Sequence, residues 1–269
     1  MKILFLGDVV GKSGCSSVIK YLPEQIKKNN IDFVIVNGEN AADQGVGITE
    51  KIANNLFECG VNVITTGNHV WDQKETIDHI ERESRLLRPH NLIEPSPGKG
   101  FKIFTMDNGI KIAVLNLMGN VFMKKCDDVF EASKKFFKNN SLKKEYDYLI
   151  VDFHGEITSE KMAIGHFFDG KATMVVGTHT HVPTSDYRIM TEGTAYQTDI
   201  GMCGDYNSVI GMNKENSLKM FLKNPDAKKH FPALGKATIS GLMVTADNET
   251  GLANKVEPII VGAELENRI

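Results

Sequence analysis

Short apolar runs and amphipathic stretches alternate along the first two thirds of the chain. The apolar runs have the length and composition of buried strands and cover Lys2–Leu6, Phe33–Asn37, Val61–Thr65, Tyr148–Asp152 and Thr173–Val176. The stretches with helical character are Ser16–Asn29, Thr49–Cys59, Lys74–Glu83, Phe130–Asn139 and Ser159–Phe167. Thr49 can cap its helix and Gly60 can end it, while Ser16 or Ser17 can cap the first helix. This alternation is typical of an α/β protein with parallel strands.

The pattern changes after Pro89, where a loop and a hairpin signal interrupt the alternation. Asp107-Asn108-Gly109 separates two strand-like runs, which are Phe101–Met106 and Ile110–Leu117. The tail predicts two antiparallel strands that close a second sheet, Thr238–Thr245 and Ala253–Val261, and Lys214–His230 is predicted to be an exposed helix and loop. We therefore expect two sheets packed face to face with helices outside them.

The composition narrows the class of protein. The 269 residues are 41% hydrophobic and 24% charged, which suits a globular chain that buries a core. The net charge of −3 argues against bulk electrostatic binding of nucleic acid or of an anionic membrane. No apolar run approaches transmembrane length and the start does not resemble a signal peptide, so a cytoplasmic location is expected. The four cysteines do not form a C-x-x-C pair, which favours reduced thiols over a disulfide framework.

Residue types that bind metals occur in five short segments, each just after a strand-like run. The segments are Gly7-Asp8, Gly38-Glu39-Asn40, Gly67-Asn68-His69, Phe153-His154-Gly155 and Gly177-Thr178-His179-Thr180-His181. The carboxyl ends of parallel strands gather along one edge of an open α/β sheet, where ligands bind. The five segments can therefore converge on one site with two carboxylates, two amides and several imidazoles, which is enough for two metal ions.

The two acids and the histidine pair carry most of this hypothesis. A carboxylate just past a buried strand, such as Asp8 or Glu39, is costly unless it is paired or binds a cation, although strand-end acids also cap helices. His179 and His181 are two residues apart, and in an extended segment both imidazoles would point to the same side. We therefore predict metal binding by the histidine pair.

Asn68 and His69 are adjacent, so in an extended segment they would face opposite ways. This predicts different roles, with Asn68 as a metal ligand and His69 as a catalytic group. His154 follows a buried strand and is a further predicted ligand, while the neighbouring Asp152 is expected to support the ligands rather than bind metal. His90 is left open between a bystander and a substrate contact.

The segment Gly7–Ser13 looks superficially like a phosphate-binding P-loop. That motif needs four residues between its first glycine and the Gly-Lys pair, and here there are three. The geometry that holds a phosphate depends on this spacing, so the P-loop interpretation is rejected.

In this order, the segments resemble the calcineurin-like metallophosphoesterases, most closely the YmdB-type branch of bacterial phosphodiesterases. The resemblance rests on Gly7–Gly11, Asn37–Ala42, Thr66–His69, Asp152–Glu156, Gly177–His181 and Thr198–Met202. It spans essentially the whole chain and so implies a single domain over residues 1–269. Three departures from the wider superfamily are shared by this branch: no histidine stands two residues after Asp8, Glu39 replaces an aspartate, and Val70 replaces an acid.

The resemblance implies an αββα sandwich of two mixed sheets that carries a dinuclear metal site. Glu39 would bridge the ions; Asp8, Asn40 and His181 would complete one position, and Asn68, His154 and His179 the other. His69 would be the general acid. The branch is associated with iron, with manganese as a substitute, and with cyclic nucleotide phosphodiesterase activity. Its members often form dimers or tetramers, so a homodimer or homotetramer is one expectation.

Charge suits such a site to a small phosphodiester substrate. Asp8 and Glu39 supply two negative charges against four from two divalent ions, so a site with a bridging hydroxide stays positive. The hydroxide would attack phosphorus in line, while His69 protonates the leaving group. The nitrogen and oxygen donors fit Fe, Mn, Co or Zn. Two alternatives remain open: a phosphomonoesterase or nucleotidase on the same metal core, and a non-catalytic regulator that senses a nucleotide or metal.

Overall fold

Two mixed β-sheets lie face to face in the computed structural model, which describes residues 1–268. The first consists of β1 (Lys2–Leu6), β3 (Phe33–Asn37), β4 (Val63–Thr65), β12 (Ile239–Ala246) and β13 (Ala253–Val261), in the spatial order β13-β12-β1-β3-β4. The second consists of β5 (Phe101–Thr105), β6 (Lys111–Met118), β7 (Tyr148–His154), β8 (Met174–Thr178), β9 (Arg188–Ile189) and β10 (Ala195–Gln197), in the order β5-β6-β7-β8-β10-β9. A small parallel pair joins β2 (Asp8–Val9) to β11 (Met202–Cys203).

Six helices accompany these strands within residues 1–268. They are α1 (Gly11–Asn29), α2 (Glu50–Glu58), α3 (Glu75–Arg82), α4 (Val129–Phe137), α5 (Thr158–Phe168) and α6 (Lys214–Phe221). In the described part of the chain, none of them has the length and apolar character to cross a membrane.

Strand alternation produces the layers. Along β1, Ile3 and Phe5 pack between the two sheets, whereas Leu4 and Leu6 pack toward α1 and α2. A third apolar cluster covers the other face of the second sheet, where Leu149 and neighbouring side chains pack against α4 and α5. Helices therefore cover both outer faces, and the expected αββα sandwich is confirmed.

The tail strands join a different sheet from the one predicted. β12 pairs antiparallel with β1, with Lys2 opposite Thr245 and Leu6 opposite Gly241. The prediction that Thr238–Thr245 and Ala253–Val261 close the second sheet is therefore wrong. A period-two pattern identifies a strand and its buried face, but it does not identify the strand with which it pairs. Here β12 pairs with the side of β1 that β3 does not cover.

The first helix also begins earlier than predicted. It starts at Gly11, so neither Ser16 nor Ser17 is its cap. Gly14 lets its first turn lie against the small β2–β11 pair, since a side-chain carbon there would be 2.1 Å from the carbonyl oxygen of Cys203. Thr49 does cap α2, because its hydroxyl accepts a hydrogen bond from the amide of Ile52.

The carboxyl ends of the parallel strands are level with one another. In the second sheet, Met118 lies opposite His154, and His154 lies opposite Thr178. In the first sheet, Leu6 lies opposite Val36. The segments that follow these ends thus meet at one edge of the sandwich.

Candidate metal centre

The eight predicted site residues meet at this edge, on segments from both sheets. They are Asp8, Glu39, Asn40, Asn68, His69, His154, His179 and His181. Most are deeply buried; the side chains of Asp8 and His154 are 0% exposed and that of Glu39 is 1% exposed. The structure brings the eight together, while the role of each one stays a prediction.

One group of donors surrounds Asn40. Its side-chain nitrogen lies 3.0 Å from His181 Nε2 and 3.3 Å from Glu39 Oε1. His181 Nε2 lies 3.7 Å from Asp8 Oδ1. These are the four residues that the family resemblance places at the first metal position.

A second group surrounds His154. Its Nε2 lies 3.0 Å from each of three atoms, Asn68 Oδ1, Glu39 Oε1 and His179 Nδ1. Donor atoms held at about 2.1 Å from one ion and at right angles to each other are separated by about 3.0 Å. Glu39 contributes to both groups, which is the arrangement expected of a bridging carboxylate.

Hydrogen bonds alone cannot explain the close contacts of the second group. Thr178 Oγ1 donates to Asp152 Oδ1 at 2.8 Å and therefore accepts from His154 Nδ1 at 2.9 Å. The remaining ring nitrogen, Nε2, then faces two oxygen acceptors, from Asn68 and Glu39, and a proton on it could satisfy only one of them. A cation between these atoms would satisfy all of them, so the donors fit a metal ion.

Two further observations support this fit. Asp8 Oδ1 is buried and has no hydrogen-bond partner among the described residues, a costly state for a carboxylate without a cation. At Gly67 a side-chain carbon would lie 2.2 Å from the His154 ring and 2.4 Å from Glu39 Oε2. The glycine thus lets the backbone pass close to the donors.

Burial and neighbouring charges shift the pKa values of the donors in different directions. Burial opposes the charged form of His154, but the Glu39 carboxylate outweighs this and raises the pKa of His154 to about 9, so a metal ion would have to displace a proton from this ring. Burial raises the pKa of Asp8 to about 6, with the histidines His181 and His154 offsetting only part of the effect. Burial disfavours the Glu39 carboxylate as well, but His154 outweighs this and holds the Glu39 pKa low. Burial and the neighbouring His154 lower the pKa of His179 to about 3, so its ring is neutral at neutral pH and Nδ1 can act as a ligand.

His179 and His181 reach the site by a route that the sequence did not predict. The strand β8 ends at Thr178, and His179 and His181 have φ values of 94° and 66°. The expected extended segment is therefore wrong, although both rings do face the site. They present different nitrogens, because His181 Nδ1 bonds the Ile210 carbonyl at 2.8 Å and His179 Nε2 lies 3.1 Å from Glu156.

Asn68 and His69 lie in a turn rather than an extended segment, yet they point to different partners. Asn68 faces His154, as described above. His69 donates its backbone N–H to Glu39 Oε2 at 3.1 Å, while its ring Nδ1 lies 2.6 Å from Asp72 Oδ2. The His69 side chain is 30% exposed, so it stands at the mouth of the site.

Sequence reasoning missed Asp72 and Lys124. Asp72 is three residues beyond His69, a spacing that brings side chains together within a turn. Lys124 Nζ lies 2.5 Å from the Asn68 carbonyl oxygen and 3.6 Å from Asp72 Oδ1. Nothing in the local pattern around Lys124 indicated that its loop crosses to this turn.

Asp152 and His90 stand as supporting residues. Asp152 accepts hydrogen bonds from Thr65, Thr178 and Asn37 and so orients His154 through Thr178, as predicted. The half-buried ring of His90 packs edge-on against Phe136. No described contact joins His90 to the eight residues.

The chain also matches a known family over most of its length. A family model described as YmdB-like protein matches residues 4–259. The chain belongs to the YmdB-like protein family. The expected resemblance is confirmed.

Individual relatives agree with this assignment. The chain is 44% identical, over 97% of each sequence, to a 2′,3′-cyclic-nucleotide 2′-phosphodiesterase of Bacillus subtilis. A crystal structure described as a novel phosphatase from Mycoplasma pneumoniae is 38% identical, with a TM-score of 0.89 over 97% of this chain and 93% of that one. A hypothetical protein from Thermus thermophilus is 37% identical, also with a TM-score of 0.89, over 98% of this chain and all of that one. The Bacillus subtilis relative confirms that the YmdB-like chain belongs among phosphodiesterase-type enzymes.

Proposed function

We propose that the protein is a metal-dependent phosphodiesterase that hydrolyses 2′,3′-cyclic nucleotides at the bond between phosphorus and O2′. The observation that carries this proposal is the pair of donor groups that share the buried Glu39. The substrate class comes from the Bacillus subtilis relative, whose name specifies both the cyclic nucleotide and the 2′ bond. Hydrolysis of that bond would leave a nucleoside 3′-phosphate.

The proposed ligand sets follow the two groups of contacts. Asp8, Asn40 and His181 would hold one ion, and Asn68, His154 and His179 the other, with Glu39 shared between them. Two bound ions would supply an activated water and would neutralise charge on the phosphoryl oxygens. The donors are nitrogen and oxygen atoms, so we propose iron, with manganese as a substitute and zinc or cobalt as poorer alternatives.

The charges of the site's own residues are consistent with a need for cations. Asp8 and Glu39 are both carboxylates buried at the base of the site. Alone they would repel an anionic phosphodiester, and few solvent molecules could screen that repulsion at such depth. Binding of an anionic substrate would therefore require cations at the base of the site, in addition to any positive side chains at its mouth.

His69 is the proposed general acid. Its Nδ1 faces Asp72 at 2.6 Å, so the ring is held with Nε2 as the nitrogen that exchanges a proton with the substrate. Its backbone N–H binds Glu39, which keeps the ring beside the donors without making it one. His69 would give its proton to O2′ as the bond to phosphorus breaks, and Asp72 would stabilise the charged ring before that transfer.

Lys124 is the proposed substrate contact. Its ammonium group lies against the Asn68 carbonyl and near Asp72, and its side chain is 58% exposed. It can therefore leave these partners and attract a phosphate anion to the mouth of the site. Lys124 would then add positive charge from the chain itself at the mouth of the site.

The test uses purified protein stripped of metal by a chelator and reloaded with Mn²⁺ or, without oxygen, with Fe²⁺. Hydrolysis of 2′,3′-cyclic AMP, 3′,5′-cyclic AMP and adenosine 3′-monophosphate is compared. We expect metal-dependent formation of the 3′-nucleotide from the 2′,3′-cyclic substrate and slower turnover of the other two. Faster hydrolysis of the monoester would favour a phosphomonoesterase, and tight cyclic-nucleotide binding without turnover would favour a sensing protein.

A further inference from the structure

A buried ion pair lies directly behind the histidine turn and outside the proposed ligand set. Lys161 projects from α5, and its Nζ lies 2.6 Å from Asp199 Oδ2. The two side chains are 1% and 0% exposed. A buried pair of this kind costs desolvation energy and is weak evidence of stabilisation by itself. Its other contacts indicate what it does.

Asp199 accepts two hydrogen bonds from the turn between the two histidines. The same Oδ2 atom that meets Lys161 also accepts the backbone N–H of Thr180 at 3.2 Å and the Thr180 hydroxyl at 2.7 Å. Thr180 stands between His179 and His181, whose backbones are both in the left-handed region. Non-glycine residues rarely adopt that conformation without support from their surroundings. Asp199 provides this support at the middle of the turn.

The other oxygen of Asp199 is linked to Asp8 through Gly201. Asp199 Oδ1 accepts the N–H of Gly201 at 2.8 Å, and the carbonyl of Gly201 accepts the N–H of Asp8 at 3.2 Å. Asp8 in turn accepts the backbone N–H of His179 through Oδ2 at 3.1 Å. One carboxylate thus connects the histidines that follow the second sheet to the aspartate that follows the first.

The path of Lys161 to this carboxylate also depends on a glycine. At Gly177 a side-chain carbon would lie 3.0 Å from Lys161 Cδ and 1.8 Å from the Thr198 carbonyl oxygen. The absence of a side chain at this position lets the lysine stem pass beneath β8. The Lys161 ammonium group fixes the Asp199 carboxylate in place, and both of its oxygens accept hydrogen bonds.

We propose that Lys161 and Asp199 form a positioning pair that holds His179 and His181 in register with Asp8. The inference rests on the proposed metal site, because the three positioned residues are proposed ligands. Neither member of the pair would touch metal or substrate. Loss of the pair would weaken metal binding and would not directly affect the proton transfer assigned to His69.

The test measures metal affinity directly, by competition for Co²⁺ with a chromophoric chelator, and records the visible spectrum of bound Co²⁺. We expect Lys161→Met to weaken binding about 10–100-fold and to change the spectrum, and Lys161→Arg to restore both toward wild type. Thr180→Val removes one hydroxyl contact to Asp199 and leaves no buried charge unpaired. It should weaken binding about tenfold even if Lys161→Met does not fold.

A matched control is available just before the first residue of β8. Thr173 is fully buried and its hydroxyl bonds the Gly251 carbonyl at 2.6 Å. Thr173→Val should lower the melting temperature of the metal-free protein yet keep wild-type metal affinity. Wild-type affinity and spectrum in folded Lys161→Met and Thr180→Val would overturn the inference, as would an equal loss in Thr173→Val. If the wild-type protein itself binds no metal, the proposed function fails with it.

Discussion

His69 Nδ1 and Asp72 Oδ2 lie 2.6 Å apart across a single turn, at the mouth of the site. The pair sits outside the buried cluster of donors, because His69 reaches that cluster only through its backbone N–H. In the proposed mechanism this arrangement would separate proton transfer from metal binding. We therefore expect that single substitutions can remove either function and leave the other.

His69→Ala should retain metal and lose about 10²–10⁴-fold in the rate of cyclic-nucleotide hydrolysis. The loss should be much smaller for a p-nitrophenyl phosphodiester, whose leaving group needs no proton at neutral pH. Steady-state rates on both substrates and metal content by elemental analysis check this. A loss of metal that parallels the loss of rate would instead make His69 a ligand.

Asp72→Asn tests whether the carboxylate orients the His69 ring. We expect about a 10–100-fold lower kcat with an unchanged metal content and little change in KM, since Asp72 does not contact the donor cluster. The double variant with His69→Ala should be no slower than His69→Ala alone. Additive losses in the two variants would show that Asp72 acts by a separate route.

Asp8→Asn should remove metal binding and yet stabilise the metal-free protein. Burial raises the pKa of Asp8 to about 6, so the folded metal-free state binds this proton more tightly than the unfolded state does. The buried Asp8 carboxylate therefore lowers the free energy of unfolding of the metal-free protein. This effect is absent below about pH 4 and grows as the pH rises toward 6, reaching the order of 2–3 kcal/mol. Asparagine carries no such charge.

Urea unfolding in EDTA checks this prediction at about pH 4 and about pH 8. The variant should match the wild type at the lower pH and exceed it at the higher one. With saturating Mn²⁺ the order should reverse, because metal stabilises only the protein that binds it. A variant that is less stable than the metal-free wild type at about pH 8 would contradict the prediction.

Much of the site could be predicted because its residues follow strands. Asp8 and Glu39 come just after apolar runs, and level strand ends bring them together without any knowledge of the loops. Asn68 and His154 were found by the same argument. The prediction needs only local information, since a polar residue that follows a buried parallel strand lies at the edge of the sheet where ligands bind.

The remaining contacts depend on loops that cross between segments distant in sequence. Lys124 meets Asn68 from 56 residues away, and Asp199 meets Lys161 from 38 residues away. The hydrophobic periodicity of the sequence does not predict contacts between residues so far apart in the chain. The histidine turn illustrates the same limit. His179 and His181 were predicted to face one site and both rings do, but left-handed backbone was not predicted for residues that disfavour it.

Lys124→Met should raise KM for the cyclic nucleotide and leave metal content unchanged. The lysine is expected to attract the phosphate and to release its contacts with Asn68 and Asp72 when substrate arrives. An effect of about tenfold at low salt is expected, and it should shrink as salt screens the attraction. Lys125→Met is the matched control, because Lys125 is the adjacent exposed lysine. Equal effects in both variants would indicate general surface charge rather than a specific contact.

Gly67→Ala should disrupt metal binding through one added carbon. Its position would fall 2.2 Å from the His154 ring and 2.4 Å from Glu39 Oε2, distances at which something must move. His154 is fixed by Thr178 on its other side and Glu39 by the amide of His69, so neither can retreat freely.

The matched control for this variant is Gly204→Ala, where the nearest atoms are 3.3 Å or more from the added carbon. We expect Gly67→Ala to lower metal affinity at least about tenfold with a smaller effect on the melting temperature of the metal-free protein. Gly204→Ala should leave metal affinity near wild type. Normal affinity in folded Gly67→Ala would mean that the two donor groups have more room than their 3.0 Å contacts imply, and the shared position of Glu39 would need another explanation.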